Sequence, residues 1–317
     1  MLFVTGATGY LGSALVKLLV ERGYAVRAAV RSPARAAVLP ASVECVPADL
    51  ADQASLERGM AGCEGVFHLA ASLGQRPADT REANVAGTRR VLQAAARAGV
   101  RRVVYTSSSA AIIDHSGLVS EHAPNATALT DIYSVTKAEA EGLIFAAVRE
   151  GIAAGDGQPA HGPLDALIVN VVNAYGPSPY GPSSYNALFT AFLRGEVETV
   201  VDARVGWVLA EDVALGHLLA YEGGVAGERY LLCGEVASFS TILNRLAELW
   251  GSARRVQALP PGADLSPDAP LFARRSEVYG RLGPVRVDDA QARALGFAPR
   301  GLEAGLPLTV AWLRAVK

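Results

Sequence analysis

Cysteine is scarce: Cys45, Cys63 and Cys233 are the only thiols in 317 residues. They are too few and too far apart for a disulfide framework or a zinc site, and their flanks (VEC, AGC, LLC) are largely apolar, so they read as incidental free thiols. A surplus of one charge is also missing, since 29 Lys and Arg stand against 31 Asp and Glu for a formal net charge of −2. With no long run of either sign, nothing points to nucleic acid or a membrane surface. Long apolar runs are absent too, and none reaches the ~18 to 20 residues of a membrane-spanning helix. The first segment, MLFVTGATG, has no basic region ahead of it and carries glycines where an export signal needs unbroken apolar residues, so the cytoplasm is expected. His68, His115 and His122 do not converge with the spacing of metal ligands, and no metal is expected.

What is present is the composition of a globular chain, with 50% hydrophobic and 19% charged residues. The length suits one large α/β unit or two intimately joined lobes. Short apolar runs at 2–5, 25–30, 43–47, 65–69, 103–107 and 166–172 are bounded by turn residues or charges and read as strands buried on both faces. Amphipathic stretches at 12–22, 54–60, 81–98 and 133–149 lie between them. The alternation predicts a doubly wound parallel sheet of the Rossmann type with helices on both sides. From residue 173 the texture changes, because NAYGPSPYGPSSY supplies prolines and glycines where a helix would otherwise follow, and predicts loop. A helix at 186–193 comes next; a strand at 205–210 and a helix at 212–221 then read as a return to the sheet. The expected division is a first domain from 1–172 and 203–233 and a small discontinuous lobe from 173–202 and 234–317 over the sheet's C-terminal edge. The Gly/Ala/Pro stretch at 151–165 reads as a flexible surface insertion.

The first strand runs straight into TGATGYLG (5–12) and then a helical pattern, with a second strand near residue 25. Glycines in that context let a pyrophosphate approach the backbone where no Cβ intervenes, while the free N–H groups of the helix N-terminus meet its charge. Gly6, Thr8, Gly9, Tyr10, Leu11 and Gly12 are therefore expected to hold a dinucleotide. At the end of the second strand, where a carboxylate would take the adenine ribose of NAD(H), the chain has Arg31, with Arg35 a turn later. A guanidinium there suits the 2′-phosphate of NADP(H), which is the expected cofactor, NADPH in preference to NADH.

Tyr133-Ser-Val-Thr-Lys137 opens a helix, and the i, i+4 spacing puts phenol and ammonium on one face. A phenol near pKa ~10 is a poor acid and base at neutral pH. A neighbouring cation lowers it and makes it usable. The strand at 103–107 ends in hydroxyls at the edge of the sheet where ligands bind, so Ser107, Ser108 and Ser109 are expected to face the cofactor.

Together these motifs resemble the extended short-chain dehydrogenase/reductases, the NAD-dependent epimerase/dehydratase family. The matching residues are TGATGYLG (5–12), Asp49-Leu50, HLAA (68–71), Asn84 with Gly87-Thr88, TSSSA (106–110), YSVTK (133–137), NAYGP (173–177) and EDVALGHLLA (211–220), in family order. Within the family the chain is most similar to the dihydroflavonol reductase and hydroxysteroid dehydrogenase-like branch. The resemblance implies Tyr133 as general acid and base, Lys137 tuning it and holding the nicotinamide ribose, and Ser108 orienting the substrate oxygen. It also implies Asp49 and Leu50 at the adenine, Leu69, Ala70 and Ala71 at the ribose region, Asn84 positioning helix and cofactor, and Tyr175 in a loop passing the nicotinamide. Two departures stand out. Many relatives carry Arg-Pro where this chain has Asn170-Val171, and the Gly-rich turn with Arg-Asp-Phe of nucleotide-sugar enzymes is replaced by ETVVDARVGWVLAED (198–212).

The expected activity is NADP(H)-dependent interconversion of a carbonyl and an alcohol on a small, fairly apolar substrate. One rival is a nucleotide-sugar epimerase or dehydratase with permanently bound NAD(P); another is a non-catalytic NADP(H) sensor, against which the Tyr/Lys pair argues. A homodimer through the helices at 81–98 and 133–150 is expected, as in the family. Elsewhere, His217 reads as a satisfied core residue, Arg274 and Arg275 as a solvated helix face in preference to an anion site, and Trp207, Tyr180 and Tyr185 as either pocket lining or core.

Overall fold

In the computed structural model, which describes residues 1–74, 76–152 and 162–316, the apolar runs of the first half become parallel strands with helices between them. In chain order these are β1 (Leu2–Thr5), α1 (Tyr10–Glu21), β2 (Val26–Val30), α2 (Pro33–Ala36), β3 (Glu44–Pro47), α3 (Gln53–Met60) and β4 (Gly65–His68). Next come α4 (Pro77–Arg81), a π turn at Glu82–Ala86, α5 (Gly87–Arg97), β5 (Arg102–Ser108), β6 (Leu118–Ser120), α6 (Ile132–Glu150) and β7 (Ala166–Val171). The chain continues through β8 (Asn173–Tyr175), α7 (Tyr185–Arg194), β9 (Thr199–Val201), β10 (Arg204–Leu209), α8 (Ala210–Gly223), β11 (Arg229–Leu232) and β12 (Glu235–Ser238). It ends with α9 (Phe239–Trp250), β13 (Gln257–Leu259), α10 (Leu271–Gly280), β14 (Arg286–Asp288), α11 (Ala290–Ala294) and α12 (Leu302–Ala315).

The main sheet is seven-stranded and parallel throughout, in the order β11-β7-β5-β4-β1-β2-β3. Alternate side chains feed two cores. Val104, Leu167 and Val4 face one in which α1 packs on α8; Val103, Tyr105, Ile168 and Phe3 face the other, under α3, α5 and α6. Strand order reverses between β1 and β4, which opens a crevice beyond their C-terminal ends. One expected strand is not buried on both faces: β3 is the sheet's edge and stays mostly exposed, with Glu44 paired to Arg27 at 2.9 Å.

Three sequence expectations are corrected. The run from 173 does not begin as loop, because Asn173–Tyr175 pairs in parallel with β10. β10 does not return to the main sheet but joins β8 and β12 in a three-stranded one; β11 fills the seventh place instead. The helix expected at 81–98 is interrupted by the π turn. Of the insertion expected at 151–165, residues 153–161 lie outside the described residues. No described helix is long and apolar enough to cross a membrane.

The last part of the chain is clasped to the segment that precedes α6. β14 pairs with β6, Leu118 to Arg286 and Ser120 to Asp288. Beside them the buried Glu121 carboxylate accepts from the backbone N–H groups of Leu231 (2.8 Å), Gln291 (2.6 Å) and Ala292 (2.9 Å). Arg300 is held by Asp212 at 2.6 Å and Glu211 at 2.9 Å.

Candidate active site

The glycine turn sits at the C-terminal end of β1. Gly6 has φ +70°, and a Cβ there would stand 2.6 Å from Ala70 N; a Cβ at Gly12 would stand 2.0 Å from Gly6 O. The turn closes with Gly9 N–H donating to Gly6 O at 2.8 Å, and α1 starts at Tyr10, with Gly9 at the N-cap and no side chain capping it. Its first N–H groups, those of Tyr10, Leu11 and Gly12, are left for a ligand. Beside the turn lies a cavity of about 590 Å³, lined by Gly6, Thr8, Gly9, Arg31, Asp49, Leu50, Leu69, Ala70 and Ala71 among the expected residues. The glycines that no Cβ could replace, the uncapped helix and the size of the cavity all fit the adenosine and pyrophosphate half of a dinucleotide.

Other expected cofactor residues act from behind that wall. Tyr10 Oη donates to Gly176 O at 3.0 Å, and Leu11 packs against the core. Asn84, buried in the π turn, accepts from Ser72 N–H (2.7 Å) and donates to Ser72 O and Thr136 Oγ1 (3.0 Å each). It thereby ties the loop lining the cavity to α6. Buried His68 is held neutral, its pKa pushed down to about 3 by desolvation and then by Lys137. Thr88 Oγ1 donates to Asn84 O, so His68 Nε2–H donates to Thr88 and its Nδ1 accepts from Thr5. His217 is likewise a neutral core residue, lying between Val213 O and Thr106 Oγ1, both at 2.8 Å.

Helix α6 begins where Asp131 accepts from Ser134 N–H at 3.2 Å and from Ser134 Oγ at 2.7 Å. This cap sets Tyr133 in the first turn and Lys137 one turn on. Lys137 is buried and donates to Thr106 O at 2.7 Å and Tyr105 Oη at 3.2 Å, with its ammonium 4.7 Å from the Tyr105 ring centre. Burial drives it down to about 7, against the pull of Glu141. The phenol of Tyr133 is raised by burial and drawn back by its hydrogen bond with Ser108. The ammonium therefore lies one turn below the phenol and binds β5.

Of the serines ending β5, Ser108 meets Tyr133 and also caps the short turn that follows, accepting from Ala110 N–H at 3.2 Å. Ser107 does not face the cavity but is buried and donates to Glu141 Oε1 at 2.5 Å. Ser109 is buried as well.

Several residues were missed or misjudged from sequence. Arg90 reaches the cavity from α5, bonded to Leu50 O at 3.1 Å and paired with Glu82 at 2.8 Å. Arg275 is not a solvated residue: it turns inward from α10 to Asp131 Oδ2 (3.4 Å) and Tyr279 Oη (3.3 Å), and its charge is felt at Tyr133 and Tyr185. Arg274 is exposed. Trp207 is core, fully buried against Tyr185, Phe189 and Phe239, whereas Tyr180 is exposed. Tyr175 lies in β8 with its ring packed on Phe189, not over the cavity, and its hydroxyl has no partner among the described residues. Only the RR dipeptide signalled Arg275; nothing local marks Arg90, whose role depends on where α5 lies.

Comparison with known proteins agrees with this geometry. The chain is 37% identical to sterol demethylase protein B of Methylococcus capsulatus, across 98% of this chain and 97% of that protein. It is 35% identical to a Synechocystis protein described as a dihydroflavonol 4-reductase, across 78% and 72%. The crystal structure of dTDP-glucose 4,6-dehydratase from Streptomyces venezuelae, with NAD bound, superposes with a TM-score of 0.80 at 26% identity, covering 99% of this chain and 97% of that one. Residues 2–233 match the NAD dependent epimerase/dehydratase family. The chain belongs to that family, and is an NAD(P)-dependent enzyme of the extended short-chain dehydrogenase/reductase type.

Proposed function

We propose that the protein is an NADP(H)-dependent oxidoreductase that interconverts a carbonyl and an alcohol on a small, fairly apolar substrate. The observation that carries this reading is the meeting of Tyr133 with Ser108 at the C-terminal end of β5, with Lys137 one turn below, on the same edge of the sheet as the cavity that fits the adenosine and pyrophosphate half of a dinucleotide. Nicotinamide, when bound, supplies or takes the hydride. Ser108 Oγ holds the substrate oxygen, and Tyr133 Oη gives that oxygen a proton in reduction or removes it in oxidation. Lys137 Nζ, anchored on Thr106 O, supplies the nearby positive charge and a third donor for the nicotinamide ribose.

Preference for NADP(H) is supported by Arg31 and Arg35 in the cavity wall, where the first expected acidic side chain, Asp49, comes a strand later. An apolar substrate is supported by two exposed leucines. Leu73 precedes Gly74, which lies against Ile132 and Tyr133; Leu271 precedes Phe272, whose ring is 5.1 Å from that of Tyr185. We further take 173–202 and 234–317 as the part that recognises substrate, and α5 with α6 as a dimer face, supported by the partly exposed Leu143 and Phe145.

Tyr133→Phe tests the assignment. NADPH oxidation with a panel of carbonyl compounds should fall at least about a hundredfold, while NADPH binding by fluorescence stays within about threefold. Retained turnover would overturn the mechanism. The inward Arg275 favours one second reading, a nucleotide-sugar epimerase or dehydratase, because a guanidinium beside Tyr133 suits an anionic substrate. Such an enzyme returns its cofactor unchanged, so net NADPH consumption separates the two.

A further inference from the structure

Below the reacting groups, Glu141 is fully buried one turn after Lys137 on α6. Its carboxylate collects side-chain donors from three strands: Ser107 Oγ at 2.5 Å from β5, Asn170 Nδ2 at 2.7 Å from β7 and Arg229 Nε at 2.8 Å from β11. The first two fall on Oε1 and the third on Oε2, so both oxygens are held. Ser107 and Asn170 are register partners, and Asn170 Nδ2 also reaches Ser108 O at 3.1 Å. Lys137 meanwhile grips Thr106 O. The last three residues of β5 are thus fastened to α6 by an ammonium and a carboxylate on the same helix face.

Stability alone does not call for such a cluster, since a buried ion pair is costly to desolvate and well-packed apolar side chains do as well or better. We infer that Glu141 is a positioning residue for the reaction proposed above: it holds Ser108 through Asn170 and Ser107, and its negative charge balances that of Lys137. The inference rests on reading Tyr133, Lys137 and Ser108 as the reacting groups. Beside Asn170 on β7, the guanidinium that pairs with Glu141 comes from Arg229 on the neighbouring strand.

The surroundings of Lys137 leave Glu141 as its counter-charge. From β5 it faces the phenol of Tyr105, held protonated by burial, and from β4 neutral His68; Tyr133 stands one turn earlier on its own helix, and Arg229 is paired with Glu141. Of these groups Glu141 alone is an anion, and it is the one that opposes the effect of burial on Lys137. With Glu141 neutral, nothing opposes burial, Lys137 gives up its proton at a pH below its value of about 7, and at neutral pH Tyr133 loses the nearby cation.

Lys17, Lys137 and Lys317 are the only lysines in the chain, so ¹³Cε-lysine labelling gives three resonances, and Lys137 is the one missing from Lys137→Arg. The full chain is titrated without cofactor or substrate. In Glu141→Gln the Lys137 midpoint should fall by about one pH unit or more, a tenfold change in the ammonium-to-amine ratio, while Lys17 and Lys317 do not move. A folded Glu141→Gln protein that keeps the wild-type Lys137 midpoint overturns the inference. Should that variant fail to fold, Glu141→Asp replaces it, with a smaller downward shift expected and an unmoved midpoint again decisive. Because no turnover is read, a protein that reduces no carbonyl removes the reductase reading and leaves this result to stand or fall by itself.

Discussion

Two glycines show how much a single hydrogen atom can matter. At Gly12 a methyl group would stand 2.0 Å from a backbone oxygen that cannot move without reshaping the turn; at Gly23, φ +82°, it would meet nothing within 4 Å. Gly12→Ala should cost about 3 kcal/mol of stability in urea unfolding, and Gly23→Ala about 1 kcal/mol from backbone strain alone. Equal losses would mean that the contact at Gly12 is relieved for nothing. The buried histidines set a pH dependence. His68 and His217 titrate at about 3 and about 4 in the fold, against 6.5 when unfolded. Between those values the unfolded chain binds the extra protons, so stability falls as pH drops from about 6.5, by up to about 1.4 kcal/mol per pH unit for each ring. Replacing His217 by Asn should flatten the thermal midpoint between pH 6.5 and 4.5 relative to wild type; parallel profiles would refute the assignment.

At the scale of elements, the π turn between α4 and α5 exists because Asn84 is drawn in by partners at Ser72 and Thr136. Asn84→Ala leaves those buried groups unpaired and should cost about 2 to 4 kcal/mol by chemical denaturation, with weaker NADPH binding because Ser72 belongs to the cavity wall. The same feature marks what the sequence could and could not reveal. Strands β1, β2, β4, β5 and β7 were legible because an apolar run between turn residues has few alternatives, and the glycine turn because its spacing is fixed by one backbone contact. The break at Asn84, the strand β8 inside NAYGP and the inward turn of Arg275 depend on partners 12 to 144 residues away in the chain. No local pattern records such partners. Ser107 was misread for a related reason: period two tells adjacent serines apart, but which one faces a ligand depends on Glu141.

For the whole molecule, ligand binding and stability are linked. NADPH at about a hundred times its dissociation constant should add about 2.7 kcal/mol, and at matched concentrations the thermal midpoint should rise more with NADPH than with NADH. Arg31→Ala should erase most of that difference; a larger rise with NADH in the wild type would reverse the cofactor preference.

The pairing of β6 with β14 has a consequence for synthesis. The strand leading towards the helix that bears Tyr133 finds its neighbour 168 residues later, Leu118 beside Arg286. On the ribosome the glycine turn can close early, while the approach to the tyrosine waits until the strand at residues 286 to 288 has emerged. A nascent chain halted before residue 286 would have its glycine turn but no partner for the strand that leads towards Tyr133, so β14 is a latch that closes late.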